Sequence, residues 1–274
     1  MKNIKTALKA LLAIISVMIA VVGCKKDSYA PVADNPAPEP STQATFIKAS
    51  GDISGALAEF RHLLGDTLNT KPNANPLGRR EINWDAVPAS FTNTGNFPLD
   101  FFNSTDPAVG AGRKRGFVLS GNGTTFRVDS TNFSEIDPSY AGQFQAFSPN
   151  RTFAYLGNNI TLGAFRVPGT GQMATVKAFG VIFSDVDDEN STSIEYFSNE
   201  KSLGVFKAPR RSGGTPFSFV GVFFPNDQVT LVKITAGNGL LAPGVKDLSD
   251  GGTKDLVVMD DFLYTEPKGS KVAL

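Results

Sequence analysis

Beyond Leu64 the chain never again repeats its apolar residues at helical spacing, and this absence restricts the fold more than any single motif. From Arg79 onward, short runs of Phe, Val, Ile and Thr are broken every few residues by Gly, Pro, Asn or Asp. Runs of that length with turn residues between them read as β-strands, and a succession of them reads as a sandwich or barrel. The strands expected are 80–85, 115–120, 124–129, 161–167, 174–184, 192–197, 202–207, 217–224, 228–236 and 255–264. "GNG" at 121–123 and "SNEKS" at 198–202 are expected hairpin connections. Without intervening helices nothing supports a parallel βαβ sheet, so the expected fold is all-β, an antiparallel β-sandwich or barrel. Most of the 22 phenylalanines lie beyond residue 90 and supply its core.

The region before the strands divides into three. Lys2, Lys5 and Lys9 precede the apolar run "LLAIISVMIAVVG", residues 11–23, and then Cys24, the only cysteine. This run is shorter than the ~20 residues that span a bilayer. A basic start, an apolar middle and a small residue before the cleavage point form an export signal. "VVGC" resembles the processing box of bacterial lipoproteins, which implies lipidation at Cys24 and a membrane partner through the lipid anchor; Lys25, rather than the Asp that resembles an inner-membrane retention signal, implies an outer-membrane location in the cell envelope. Residues 24–50 contain Pro31, Pro36, Pro38 and Pro40 and few apolar side chains, and are expected to form a tether. Residues 51–77 hold one amphipathic helix, "DISGALAEFRHLLG", with Asp52 near its N-cap and Gly65 as its stop, followed by loop. The sandwich is then expected over 78–267, with 268–274 as a tail.

Loss of residues 1–23 leaves 23 basic against 26 acidic side chains, a net charge of −3. That balance gives no electrostatic basis for nucleic-acid binding, and "RKR" at 113–115 is too short to supply one. His62 is the only histidine and falls on the helix. A His-rich zinc site therefore cannot be assembled. "TLGAFRVP" at 161–168 and "SLGVFKAP" at 202–209 echo one another, but two copies describe two similar strands rather than a repeat architecture.

What remains is oxygen chemistry. "FSDVDDEN" places Asp185, Asp187 and Asp188 in one loop after an apolar strand, an arrangement of hard oxygen donors suited to Ca2+ or to a solvated acidic turn. "LVVMDDFLY" sets Asp260 and Asp261 inside an apolar strand, where an unpartnered charge is expensive. Regular alternation would put them on opposite faces. "REINWD" carries Glu81 and Asp85 on a face opposite Ile82 and Trp84. If the first and last β-strands pair, Glu81 or Asp85 approaches Asp260 or Asp261, and a structural Ca2+ between them would relieve the repulsion. The same acids would serve a glycosidase or lyase if they flanked a cleft. Trp84 is expected in the core, while Tyr140, Phe144 and Phe147 are candidates for exposed aromatic contacts.

The succession "GRREINWDAVP", "FPLDFFN", "RGFVLSGNGTTFRVDS", "FQAFSPNRTF", "VKAFGVIFSDVD", "TSIEYFS" and "DLVVMDDFLYTEP" resembles a group of exported bacterial β-sandwich envelope proteins of unassigned activity. The resemblance runs from about Gly78 to Pro267. The strand pattern looks like that of jelly-roll lectins and carbohydrate-binding modules, which often hold a structural Ca2+. It implies a non-catalytic binding module for a glycan or other extracellular polymer, with a structural or assembly protein of the envelope as the alternative.

Overall fold

The computed structural model describes residues 43–120 and 125–270. The signal-like segment 1–23, Cys24, most of the Pro-rich stretch and "GNG" lie outside the described residues.

Fourteen strands and one α-helix make up the regular structure of the described residues: β1 (Thr45–Ser50), α1 (Ser54–Leu64), β2 (Arg79–Ile82), β3 (Phe117–Ser120), β4 (Phe126–Asp129), β5 (Thr152–Tyr155), β6 (Ile160–Phe165), β7 (Ala174–Thr175), β8 (Ala178–Ser184), β9 (Ser193–Ser198), β10 (Lys201–Lys207), β11 (Phe217–Phe223), β12 (Leu231–Thr235), β13 (Val258–Thr265) and β14 (Lys268–Gly269). All strand pairs are antiparallel. A seven-stranded sheet runs β1-β11-β8-β13-β5-β4, with β2 also on β13, and a five-stranded sheet runs β10-β9-β12-β6-β3. The chain passes repeatedly from one sheet to the other. The expected all-β sandwich with one short helix is what forms.

Between the sheets lies a core dominated by aromatic rings. Trp84 stacks on Phe153 at 4.1 Å between centroids and meets Phe97, Phe102 and Phe262 edge-on. Phe117, Phe165, Phe179 and Tyr264 continue the cluster. With no cysteine in the described residues, burial of this apolar area is the main source of stability.

The helix covers the outer face of the seven-stranded sheet through Leu57, Phe60 and Leu64, which pack on Ile182, Phe219 and Leu263. Gly180 of β8 faces Gly221 of β11, and a Cβ at either position would lie 2.7 Å from the Phe60 ring. The two glycines thus form the notch that seats the helix. Asp52 Oδ1 accepts from Ser54 N at 3.0 Å at the helix start, and Gly65, with φ 110°, ends it.

Three sequence expectations change. Residues 45–50, assigned to the tether, form the edge strand β1 on β11, because Ile47 is buried against the helix layer and Phe46 meets Phe206 edge-on at 5.0 Å. The strands flanking "GNG" do not form a hairpin: β3 joins the five-stranded sheet and β4 the other. The run 174–184 breaks into β7 and β8. By contrast, "SNEKS" does turn a hairpin, with Asn199 at φ 55°.

Candidate metal centre

The acids singled out in the sequence occupy three places. The first is the end of β8. Every residue of that strand is buried, and the chain leaves it through Asp185, whose φ is 75°. The turn is held by Asp185 N donating to Pro216 O at 2.7 Å. Val186 returns to the core, so Asp185 and Asp187 are held on the other side of the loop. Asp247 comes from the long β12–β13 connection. Ligand oxygens of Asp185, Asp187 and Asp247 all lie within 4.8 Å of one another, and the three residues are buried.

A frame of hydrogen bonds fixes these acids. Asp255, fully buried, accepts from Asp187 N at 3.0 Å and Asp188 N at 2.9 Å, and also from Ser191 Oγ. Asp247 accepts from Leu256 N at 2.8 Å and Ser249 N at 2.7 Å. Arg211 Nε lies 2.6 Å from Asp187 Oδ1 and 2.9 Å from Asp185 Oδ1. Burial, with the negative charges of Asp247 and Asp187, pushes Asp185 up to about 7 despite Arg211. Burial also raises Asp247 and Asp255. For Asp187 burial acts upward, but hydrogen bonds from Arg211 and Asp247 bring it below the usual carboxylate range.

Asp188 was expected among the ligands and is not one of the three. Its carboxylate accepts from Asn190 N at 2.9 Å and closes its own turn. Asp247 and Asp255 were not singled out in the sequence. Asp247 sits two residues before Ser249, a spacing that signals an ordinary side-chain-to-backbone turn, which it also makes.

The second place is the middle of β13. β13 does pair with β2, Leu263 opposite Glu81, the condition under which the sequence brings these acids near one another. The alternation of faces, however, does not hold. Against β8, Met259 pairs with Phe183 and Phe262 with Val181, so Asp260 and Asp261 together oppose one residue. This β-bulge turns both carboxyls to the outer face, while Met259 and Phe262 both enter the core. Asp260 accepts from Phe147 N at 2.5 Å, and Ser148 Oγ lies 3.2 Å from Asp260 Oδ1 and 2.8 Å from Asp261 Oδ1. Burial and the neighbouring Asp261 push Asp260 up to about 9, which favours a protonated Asp260 donating toward Asp261. Burial raises Asp261 as well.

Glu81 and Asp85 do not complete a cation box with this pair. Glu81 is gripped by Arg79 Nε at 2.6 Å and Arg61 Nη2 at 2.8 Å. These hydrogen bonds hold it below its ordinary value although burial opposes them. Asp85, the third place, accepts from Asn150 N at 2.5 Å and Arg151 N at 3.2 Å. Glu81 thus has two basic partners, and a protonated Asp260 beside Asp261 is a second way for that pair to relieve its repulsion.

The other candidates resolve simply. Trp84 is core. Tyr140 and Phe144 are buried in a satellite cluster with Phe133 and Leu256, not exposed, whereas Phe147 is half-buried at a cleft. His62 is exposed and lies 3.2 Å from Asp66 Oδ1. Among the described residues no helix is long and apolar enough to cross a membrane.

Two open clefts flank the Asp185 cluster. One, about 370 Å3, is lined by Asn132, Gln143, Gln145 and Arg211; the other, about 210 Å3, by Asp187, Arg210, Arg211 and Ser212. Both lie on the rim where β8, β10 and β12 end and β9, β11 and β13 begin. No protein-family model, curated protein or solved structure matches this chain.

Proposed function

We propose that the protein is a lipid-anchored module of the bacterial cell envelope, held to the outer membrane through Cys24, that binds a glycan or similar polyhydroxylated polymer without catalysis. The observation that carries the reading is the cleft beside the Asp185 cluster. Asn132, Gln143 and Gln145 from the β4–β5 connection and Arg211 from the β10–β11 connection offer planar amide and guanidinium groups, the chemistry that pairs with adjacent hydroxyls. A rigid scaffold presenting such groups on loops is the usual arrangement of a binding surface.

A glycan array probed with the purified full chain tests this. Binding to a polysaccharide class, weakened at least about tenfold by Gln143→Ala combined with Gln145→Ala, is the expected result; a blank array counts against it. Mass spectrometry of the N-terminus tests the anchor, with a diacylated or triacylated Cys24 expected.

A second reading has its own support. On the five-stranded sheet, Val118, Leu162, Phe197, Val205 and Leu231 alternate with the core residues and are half-buried on the outer face. An assembly protein would use this face, and co-purification of a stoichiometric membrane partner, lost on Phe197→Glu, is its signature.

A further inference from the structure

We propose that Asp185, Asp187 and Asp247 form a binding site for a hard divalent cation, with Ca2+ the ion that fits best. The site extends the sequence reading of the Asp185 loop, replaces Asp188 by Asp247, and stands whether or not the rim binds a polymer.

Acidic clusters are common without ions, so proximity alone carries little. The informative residue is Asp185. It is 1% exposed, and neither of its buried carboxylate oxygens receives a well-aligned hydrogen bond, although Arg211 Nε lies 2.9 Å from Oδ1. Arg211 Nε is near, but one N–H points along one line, and that line runs to Asp187 Oδ1. The amide of Gln143, the other neighbour, is close enough to draw the Asp185 pKa down, yet its Nε2 makes no hydrogen bond of good geometry. Buried polar groups are generally satisfied; the other unpaired ones among the described residues are single hydroxyl or N–H-bearing atoms, and Asp185 is the carboxylate with neither oxygen hydrogen-bonded. A buried carboxylate whose nearest cation aligns its N–H on another acid therefore marks a place where a further partner fits.

Charge points the same way. Asp185, Asp187, Asp247 and Asp255 are all buried, and Arg211 is the only cation the structure pairs directly with them among the described residues. A doubly charged ion would remove much of the remaining imbalance. The donors are all oxygen, with no thiolate or imidazole in the group, which selects Ca2+, Mg2+ or Mn2+ over zinc. Ca2+ accepts irregular sets of 6–8 oxygens at about 2.3–2.6 Å and completes them with carbonyls and water. Mg2+ demands a tighter octahedron than three acids from separate loop positions readily provide. Arg211 has a third of its side chain exposed and can swing aside. The β8–β9 and β12–β13 connections would then be cross-linked by the ion at the same rim as the polar cleft.

The test uses the full chain, stripped with EDTA and passed over chelating resin, titrated with CaCl2, MgCl2 and MnCl2 by calorimetry and by thermal melting. The expected result is one saturable Ca2+ site and a Tm raised by several degrees, reversed by EDTA. Asp185→Asn should weaken binding at least about tenfold, while Asp188→Asn should leave it unchanged. Preference for Mg2+ or Mn2+ would keep the site and change the ion. Absence of heat and of any Tm change with all three ions in the unaltered chain overturns the proposal, as does full-strength binding in Asp185→Asn. If Asp185→Asn does not fold, Asp247→Asn takes its place under the same criterion, and the unaltered chain decides independently of either. None of these readouts involves a polymer, so failure here and failure of the glycan reading are separable.

Discussion

Trp84 Nε1 donates to the backbone carbonyl of Asp260 at 2.8 Å, and this bond explains how two carboxyls come to lie in an apolar strand. Beside β13, β5 pairs at Met259 and β2 pairs from Phe262 onward. The bulge falls in the gap between these two partners, where the Asp260 carbonyl has no strand to meet. The indole fills that gap from the core side, on a residue whose own φ is 62°. Trp84→Phe keeps most of the ring packing and leaves the carbonyl unpaired. Loss of about 2–4 kcal/mol is expected, the sum of a buried unsatisfied group and a small cavity. Urea denaturation followed by far-UV circular dichroism measures it; a loss below half a kcal/mol (roughly the scatter for surface changes) would mean that the bulge does not depend on Trp84.

A protonated Asp260 beside Asp261 has a consequence for pH. Asp260 is pushed from an ordinary 3.8 to about 9 in the folded chain. The native state therefore keeps a proton that the unfolded chain releases above about pH 4. By linkage, the stability this pair contributes is fully present below about pH 4 and declines as pH rises through about 9. Asp260→Asn retains an acceptor for Phe147 N and supplies a permanent donor toward Asp261. The variant should match the parent near pH 4.5 and exceed it in stability at pH 8.5, with a flatter profile between. Denaturant midpoints across that range check this, and an unchanged slope would show that the proton resides elsewhere.

The sequence carried the architecture because strand and turn signals are local. "SNEKS" turns a hairpin since Asn tolerates positive φ, and "DISGALAEF" is helical since its apolar residues share one face. The bulge was not legible. It arises from the end-to-end placement of β2 and β5 along β13, a tertiary fact, and it reverses the face assignment of Asp260 relative to Phe262. The metal candidate was half legible. Asp185 and Asp187 stand out by density, whereas Asp247 resembles many turn aspartates, and only the folded loops bring it within reach. Edge strand β1 was hidden by its proximity to the Pro-rich stretch.

Arg80 and Glu266 form a buried pair, Nη2 to Oε1 at 2.7 Å, joined by Asn69 Nδ2 at 2.7 Å from Glu266 Oε2. Arg80 is fully buried, and its Nη1 has no partner. Removing one charge from such a pair strands the other. Glu266→Gln should cost about 3–5 kcal/mol, whereas replacing both by apolar residues, Arg80→Met with Glu266→Leu, should recover most of that. Comparing the single and double variants by thermal melting isolates the desolvation effect. A double variant no more stable than Glu266→Gln would show that the pair is net stabilising.

Arg211 and an incoming cation compete for the same oxygens. With its Nε 2.6 Å from Asp187 and 2.9 Å from Asp185, the guanidinium acts as a tethered counterion to the cluster. An ion can reach Asp185 only by displacing it or by sharing the site against like-charge repulsion, which at a few ångströms near a protein surface amounts to several kcal/mol before screening. Arg211→Gln removes that opposition and keeps a polar side chain of moderate length. Two effects of opposite sign follow. In EDTA the variant should melt below the parent, because the buried acids lose their counterion. In saturating Ca2+ the order should narrow or reverse, with affinity raised about tenfold, equivalent to about 1.4 kcal/mol. Paired melts and calorimetry with and without Ca2+ separate the two. Equal losses in both conditions would mean that Arg211 only braces the loop, whereas the crossing of the two curves is the mark of a side chain standing where an ion binds.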